Sequence, residues 1–238
     1  TDKYRNSCRT VTYDIHHWCW GNTIIALLLN TRIIVAILLN TRIMSETDIP
    51  PVPFFILMGT SGSGKSSVGE ELAKLLRCEY IEGDYLHSEE SIKKMASGHP
   101  LTDADREPWL KAIRAASISA ATAVYNQPPS SPSRCVVVGC SALRRAYRDF
   151  LRSIPEHLAC LTFVYLRGTL ELLEKRLANR VNHFMKTKML RSQFETLEEP
   201  NEAEGSVIVH GIEQNPEEIA RDVLEKGRER GLVGKREE

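Results

Sequence analysis

From residue 54 onward, short apolar runs alternate with segments whose apolar residues recur at helical spacing. The runs have the length of strands and occupy residues 54–58, 78–82, 135–138, 161–166 and 207–209. The stripes between them are Val68, Leu72, Leu75 and Leu76; Ile92 and Met95; Trp109 and Ile113; and Leu172, Leu173 and Leu177. This alternation predicts an α/β fold, with a parallel sheet of about five strands covered by helices on both faces. Ligands of such a sheet gather at the carboxyl ends of its strands.

The first 49 residues follow a different pattern. An apolar unit that ends in Asn-Thr-Arg-Ile occurs twice, ten residues apart. A membrane span needs about 20 continuous apolar residues, and residues 30–32 interrupt this stretch with Asn, Thr and Arg. A divergent anchor, a degraded targeting segment and translated sequence upstream of the real start are the three interpretations. Because Met44 resembles an ordinary cytosolic amino terminus, we favour the third, and expect residues 1–49 to lie outside the fold and 50–238 to form one domain.

Charge and cysteine content narrow the class of protein. The chain has 31 Lys and Arg against 31 Asp and Glu, so its formal net charge is zero. This balance gives no indication of a nucleic-acid or acidic-membrane partner. No two cysteines have C-x-x-C spacing, and Cys78, Cys135, Cys140 and Cys160 lie in or beside apolar runs. We therefore expect buried, reduced thiols in a cytoplasmic protein rather than disulfides or a zinc site. The oligomeric state stays open, a homodimer included.

A phosphate-binding motif directly follows the first apolar run. Its residues are Gly59, Thr60, Ser61, Gly62, Ser63, Gly64, Lys65 and Ser66, with Ser67 next. The pattern G-x-x-x-x-G-K-S between a strand and a helix predicts a loop whose backbone N–H groups and helix start surround a polyphosphate. Lys65 is placed to reach the outer phosphates, and the Ser66 hydroxyl to bind Mg²⁺. The sequence therefore predicts a protein that binds a nucleoside triphosphate.

The second strand helps to choose among GTPases, ATPases and small-molecule kinases, which all use such loops. Asp84 directly follows this strand, where a carboxylate could position an acceptor hydroxyl and accept its proton. A turn or capping aspartate is the alternative. The segments 83–87, 94–101 and 103–110 combine charged residues, prolines and Trp109 in a way that surface helices do not need. That combination favours an acceptor site.

Five segments together resemble the gluconokinases, small ATP-dependent sugar-acid kinases related in fold to shikimate and nucleoside monophosphate kinases. They are the phosphate loop; G-D-Y-L-H at 83–87; K-M-A-S-G-H-P-L-T-D-A-D-R-E-P-W-L at 94–110; C-S-A-L-R-R-A-Y-R-D-F-L-R at 140–152; and Arg176 and Arg180 followed by H-F-M at 183–185 and S-Q-F-E-T-L-E-E-P at 192–200. The resemblance covers about residues 54–205. Ser91 stands where many members have asparagine, Asn182 stands where glycine is common, and the proline-rich segment 127–133 resembles an insertion.

This resemblance implies transfer of the γ-phosphoryl group of ATP to the 6-hydroxyl of D-gluconate, giving ADP and 6-phospho-D-gluconate for the pentose phosphate pathway. It implies catalytic roles for Lys65, Asp84 and Arg180, and ATP contacts from Arg176 and Arg180 as well as from the phosphate loop. The residues expected to contact D-gluconate are Asp84, His87, Arg106, Ser141 and Gln193. A mobile lid over about 176–200 would close over the phosphates and exclude water, so that ATP is not simply hydrolysed.

Plainer roles stay open for several of these side chains. Arg106 could pair with Asp103 or Glu107, although exposed pairs contribute only about 0–1 kcal/mol. His87 could be a packed surface histidine, and the two lid arginines could form a solvated basic stripe. For the whole protein, the alternatives are a kinase of another small polyol acid and a non-catalytic nucleotide-binding module.

Overall fold

The computed structural model describes residues 49–128, 131, 134–178 and 183–234, except for the side chains of 183–188 and 202. The strands are β1 (Val52–Met58), β2 (Glu79–Glu82), β3 (Val136–Gly139), β4 (Ala159–Arg167) and β5 (Val207–Gly211). The α-helices are α1 (Lys65–Leu76), α2 (Glu89–Ala96), α3 (Asp103–Tyr125), α4 (Arg145–Arg152), α5 (Leu170–Ala178), α6 (His183–Thr196) and α7 (Pro216–Glu229). Short 3₁₀ helices cover Gly83–Leu86 and Glu202–Glu204. Strands and helices alternate as predicted.

The five strands form one parallel sheet in the order β2-β3-β1-β4-β5. β1 lies in the centre, with Phe54 opposite Val136 of β3 and Leu161 of β4. Helical crossovers return the chain to the same edge each time, as parallel pairing requires. The segments that follow β1, β2 and β3 therefore meet at one edge of the sheet.

Apolar side chains cover both faces of the sheet. Phe54, Ile56 and Met58 of β1 pack on one face in a cluster that includes α3 and α4. Phe55 and Leu57 pack on the other face in a cluster that includes α1, α5 and α7. Successive side chains of a strand point to opposite faces, so a strand covered on both sides has to be continuously apolar. The structure confirms the predicted two-sided covering.

Polar residues fix the start of α3, which carries part of the site. The Thr102 hydroxyl accepts a hydrogen bond from the Asp105 N–H at 3.3 Å, and the Asp105 carboxylate accepts one from the Thr102 N–H at 2.7 Å. This capping box satisfies two N–H groups at the helix start. Lys94 donates to the same carboxylate at 2.6 Å, and its hydrogen bond is the largest of the effects that hold the pKa of Asp105 well below its usual range.

Three apolar positions differ from their prediction. Leu75 and Ile92 are 45% and 48% exposed, although both continue a predicted stripe. Leu75 lies in the last turn of α1 beside an open groove, and α2 buries Ser91 rather than Ile92. Cys160 is exposed near the amino end of β4, whereas Cys135 and Cys140 are buried as expected. All the cysteines in the described residues are free thiols.

Some predictions fall outside the described residues. They concern the repeat and the amino terminus within 1–48, Asn182, and positions 129, 130, 132 and 133 of the proline-rich segment. Within the described part of the chain, no helix is both long enough and apolar enough to cross a bilayer.

Candidate functional site

The glycine-rich loop joins β1 to α1 at the carboxyl edge of the sheet. Gly59 has φ +141°, and a Cβ there would lie 2.9 Å from the Leu166 carbonyl oxygen, so no side chain fits. Gly64, with φ +94°, is the N-cap of α1, and no side chain caps this helix start. The first N–H groups of α1 are therefore left for an anion, and the helix dipole favours negative charge there.

Lys65 is the first residue of α1 and lies folded back over the loop. Its Nζ donates a hydrogen bond to the Thr60 carbonyl oxygen at 3.1 Å. Burial lowers the pKa of Lys65, while the nearby carboxylate of Asp84 opposes this effect. A cation removed from water in this way gains from any anion that enters beside it. Ser66 and Ser67, which follow Lys65, are exposed to solvent.

Asp84 lies in the 3₁₀ helix that directly follows β2, as the sequence predicts for an acceptor-site carboxylate. The Glu82 side chain accepts a hydrogen bond from the Asp84 N–H at 3.3 Å and caps this short helix. The chain turns beneath Asp84 at Gly83, where a Cβ would lie 2.2 Å from the Gly139 carbonyl oxygen. The turn therefore packs directly on the end of β3, and Asp84 is held in the same cleft as Lys65.

Trp109 of α3 holds the segment that carries Asp84 and His87. Its indole Nε1 donates a buried hydrogen bond of 2.7 Å to the Gly83 carbonyl oxygen. Its ring stacks on the imidazole of His87, and the ring centroids are 4.4 Å apart. Burial lowers the pKa of His87, with Asp84 opposing and Arg106 adding to the shift. His87 Nδ1 is buried and has no hydrogen-bond partner among the described residues.

Arg106 lies one turn along α3 from the helix start. Its guanidinium is 6.0 Å from the centre of the Tyr147 ring, and Nη1 is 3.5 Å from the Tyr147 hydroxyl. Nη1 is also 3.7 Å from the Asp103 carboxylate, which is the salt bridge considered as the plainer role. Asp103, however, is closer to Arg144, whose Nη1 lies 2.5 Å away, and it accepts a short hydrogen bond from Tyr147. Arg106 is therefore the more distant of the two cations around Asp103.

Ser141 follows β3 in a loop that a buried ion pair fixes. Arg148, fully buried, binds Glu204 through two hydrogen bonds of 2.7 and 2.8 Å. Its Nη1 also donates to the carbonyl oxygens of Ala142 and Leu143 at 3.0 and 3.2 Å. Ala142 has φ +42°, a left-handed conformation that a residue with a side chain rarely adopts, so these bonds hold a strained loop. The Ser141 carbonyl in turn accepts from the Gly59 N–H at 3.3 Å.

Gln193 of α6 reaches the phosphate loop. Its Oε1 accepts a hydrogen bond of 2.6 Å from the Ser61 N–H. An amide oxygen therefore occupies one of the N–H groups expected to bind phosphate. The end of α6 is fixed by the segment after β3, because the Glu198 N–H donates to the Leu143 carbonyl and the Glu198 side chain accepts from the Arg145 N–H.

These segments enclose one cleft of about 380 Å³. The predicted site residues that line it are Ser61, Gly62, Gly64, Lys65, Ser66, Ser67, Asp84, His87, Arg106, Ser141 and Gln193. Apolar walls come from Met95, Pro100, Leu101, Trp109, Leu143 and Met189. The cleft brings an anion-binding loop and a lysine next to a carboxylate. Such an arrangement can hold a polyphosphate and take a proton from a hydroxyl group beside it.

Among the described residues, four predicted site residues do not line this cleft. Gly59, Thr60 and Ser63 are buried parts of the loop itself. The Arg176 guanidinium donates a short hydrogen bond to the Ile212 carbonyl oxygen after β5, and the nearby Glu174 binds Arg191. Arg180, predicted to be catalytic and to bind ATP, lies outside the described residues.

Sequence reasoning missed the side chains that support the site. Tyr147 contacts Arg106, which lies 41 residues earlier in the chain. Arg148 holds the Ala142 and Leu143 carbonyls and is itself bound by Glu204, which lies 56 residues later. Tyr147 and Arg148 belong to the segment 140–152 that resembles the gluconokinases, and this resemblance could have pointed to them. Glu204 carries no comparable signal.

Known proteins are similar to most of this chain. A family model described as an AAA domain matches residues 56–205. The thermoresistant gluconokinase of Escherichia coli (strain K12) is 42% identical over 171 residues, covering 72% of this chain and 91% of the relative. A probable gluconokinase of Schizosaccharomyces pombe is 39% identical, covering 76% and 91%. The crystal structure of a gluconokinase from Sinorhizobium meliloti 1021 has a TM-score of 0.62 and 42% identity, covering 77% of this chain and 94% of that one.

Proposed function

The chain belongs to the gluconokinase family, and we propose that it transfers the γ-phosphoryl group of ATP to the 6-hydroxyl of D-gluconate, giving ADP and 6-phospho-D-gluconate. The observation that carries this proposal is the position of Asp84 and Arg106 in the same cleft as Lys65 and the phosphate loop. This reaction requires a phosphate site, a proton acceptor and a cation for a carboxylate, and the loop, Asp84 and Arg106 would supply them. The enzyme would act in the cytosol and supply the pentose phosphate pathway.

The phosphates would lie on the loop. The backbone N–H groups at the start of α1 and the Lys65 ammonium would neutralise the negative charge of the β- and γ-phosphates. Because Lys65 is partly removed from water, its charge acts on the phosphates with little screening. Occupation of the loop would replace the hydrogen bond that Ser61 now donates to Gln193.

Asp84 would act on the acceptor hydroxyl. As the hydroxyl oxygen forms its bond to the γ-phosphorus, the bond from that phosphorus to the bridging oxygen breaks, and ADP leaves with this oxygen. The hydroxyl proton passes to the Asp84 carboxylate. A mobile carboxylate would hold the hydroxyl poorly. This role is supported by the two hydrogen bonds that fix the turn, one accepted by Glu82 from the Asp84 N–H and one donated by Trp109 to the Gly83 carbonyl.

The rest of the polyol acid would lie along α3. The planar guanidinium of Arg106 suits the carboxylate of D-gluconate because it can bind both carboxylate oxygens. The unpartnered Nδ1 of His87 supports a hydrogen bond to a substrate hydroxyl. Ser141 and Gln193, which line the same cleft, would contact substrate at the phosphoryl end.

Magnesium would be held chiefly by the phosphates and by Ser66. The described residues contain no group of three or more His, Cys, Asp or Glu side chains that could bind a metal alone. Hydroxyl and carboxylate oxygens are ligands that Mg²⁺ accepts, and the exposed Ser66 hydroxyl lies in the cleft with Asp84. When bound, the ion would neutralise charge on the transferring phosphoryl group.

Arg176 and Arg180 would close over the nucleotide as parts of a lid at about 176–200. Arg176 is at present hydrogen-bonded to the Ile212 carbonyl, so this role would require it to exchange partners. Closure would exclude water, which otherwise competes with the sugar acid for the phosphoryl group.

A substrate panel tests the proposal. ADP release by the full-length chain would be measured with D-gluconate, other aldonates, shikimate and nucleoside monophosphates, each with Mg²⁺ and ATP. We expect D-gluconate to have the highest kcat/KM. A higher value for another polyol acid would support the alternative of a different acceptor, since pocket contacts set specificity. No turnover with any acceptor would support a non-catalytic nucleotide-binding module.

A further inference from the structure

Asp103 is shared by three groups at the start of α3. Arg144 Nη1 lies 2.5 Å from one carboxylate oxygen. The Tyr147 hydroxyl donates a short hydrogen bond to the other oxygen. Arg106 Nη1 lies 3.7 Å from that second oxygen, beyond hydrogen-bond distance. The carboxylate is therefore bound by Arg144 and Tyr147, and it only neighbours Arg106.

Because Asp103 is hydrogen-bonded to Arg144 and Tyr147, the Arg106 guanidinium remains available to bind another anion. The Arg106 side chain is 12% exposed and lines the cleft, so its charge is screened less than that of a surface arginine. Its Nη1 donates a long hydrogen bond to Tyr147, and its guanidinium lies over the Tyr147 ring. If Asp103 turned fully toward Arg106, their i,i+3 contact of 3.7 Å would shorten to a hydrogen-bonded ion pair, and a substrate carboxylate would have to compete with it.

We propose that Arg144 and Tyr147 are positioning residues that hold Asp103 away from Arg106, so that Arg106 remains free for the carboxylate of the acceptor. Arg144 precedes α4 and Tyr147 lies in its first turn, whereas Asp103 and Arg106 belong to α3. The contact between the two helices thereby sets how strongly the cleft prefers an acid over an uncharged polyol. This inference rests on the proposed function, because it requires a carboxylate on the acceptor.

The test removes Arg144 and then removes the charge that it binds. In the full-length chain, Arg144→Met should raise the KM for D-gluconate about threefold to fivefold, the upper part of the range that corresponds to an exposed ion pair. The kcat and the KM for ATP should stay within about twofold of their original values. The double variant Arg144→Met with Asp103→Asn should return the KM for D-gluconate to within about twofold of the original value.

A matched control variant and a thermal melt of each variant distinguish the positioning role of Arg144 from a contribution to folding. Arg145→Met removes the same charge one residue later, where the side chain faces Asp149 at 3.6 Å instead, and should leave the KM unchanged. Arg144 and Asp103 are 41% and 54% exposed, so none of these variants should lose its fold. An unchanged KM in Arg144→Met, or a raised KM that Asp103→Asn does not restore, would overturn the inference alone. Absence of D-gluconate turnover in the unaltered chain would remove the proposed function, and the inference with it.

Discussion

The imidazole of His87 lies parallel to the indole of Trp109, with an angle of 7° between the ring planes. The same indole donates its N–H to the Gly83 carbonyl. One side chain of α3 thus holds both ends of the segment that carries Asp84. The position of the proposed proton acceptor depends on a residue that itself does no chemistry.

Replacing Trp109 by Phe separates these two contacts. A phenyl ring can still stack on His87, but the buried Gly83 carbonyl loses its donor. We expect the free energy of unfolding to fall by about 1–3 kcal/mol and the KM for D-gluconate to rise, with the KM for ATP unchanged. Urea unfolding and steady-state kinetics measure both. Ile113→Val, a core change in the same helix, is the control: it should cost about 0.5–1.5 kcal/mol without affecting KM. Equal kinetics in the two variants would contradict a positioning role for Trp109.

Replacing Asp84 by Asn tests the proposed proton acceptor without changing its shape. An amide cannot accept the hydroxyl proton, so turnover should fall by at least about 10²-fold. ATP binding, measured by calorimetry, should be largely kept because the phosphate loop is intact. Glu79→Gln, an exposed acid at the start of β2, should leave turnover unchanged. A variant of Asp84 that turns over near the original rate would exclude this residue as the base.

Changes at Gln193 test whether it competes with nucleotide for the Ser61 N–H. A carboxylate accepts a hydrogen bond about twice as strong as that of a neutral amide, and it repels phosphate. Gln193→Glu should therefore raise the KM for ATP at least about fivefold, and Gln193→Ala should lower it. Ser192→Ala, which alters a neighbouring cleft residue, serves as the control. An effect of both Gln193 variants on the KM for D-gluconate alone would indicate a substrate contact instead.

The buried pair of Arg148 and Glu204 should contribute to the response of stability to acid. Hydrogen bonds from Arg148, as the largest cause, lower the pKa of Glu204 from 4.5 in the folded protein. Its contribution is therefore complete above about pH 4.5 and is lost as pH falls through the lower folded value. Glu204→Gln should cost about 3–5 kcal/mol at pH 7 and should weaken the decline in stability below pH 4.5. Urea unfolding at several pH values measures both effects, with exposed Glu195→Gln as the control. An unchanged acid response would contradict this assignment.

A chain that begins at Met44 tests the proposed domain division. All five strands, the phosphate loop and the cleft lie between Val52 and Gly211. We therefore expect the shorter chain to keep the same melting temperature and D-gluconate turnover as the full-length chain. The apolar repeat should in turn make the full-length chain aggregate more readily. A markedly lower melting temperature in the shorter chain would mean that residues 1–43 belong to the fold.

The sequence was most informative where local chemistry decides the structure. The glycine-rich loop, the Thr102 capping box and the position of Asp84 after β2 could be predicted because each depends on neighbours within a few residues. The support of the site could not. A distance of 56 residues along the chain separates Arg148 from Glu204, and 132 residues separate Ser61 from Gln193. These contacts therefore form only once the sheet is assembled. The exposure of Leu75 and Ile92 likewise depends on where other elements end, which helical spacing does not reveal.

The central place of β1 has a consequence for how the protein is made. Phe54 pairs first with Val136, which is added 82 residues later, and its other neighbour, Leu161, comes later still. At about 5–20 residues per second, the ribosome needs roughly 4–16 seconds to cover this distance. During that time the central strand of the finished protein has no strand to pair with, and its phenylalanines are available to chaperones. The order of synthesis therefore exposes the centre of the sheet before either of its neighbours exists.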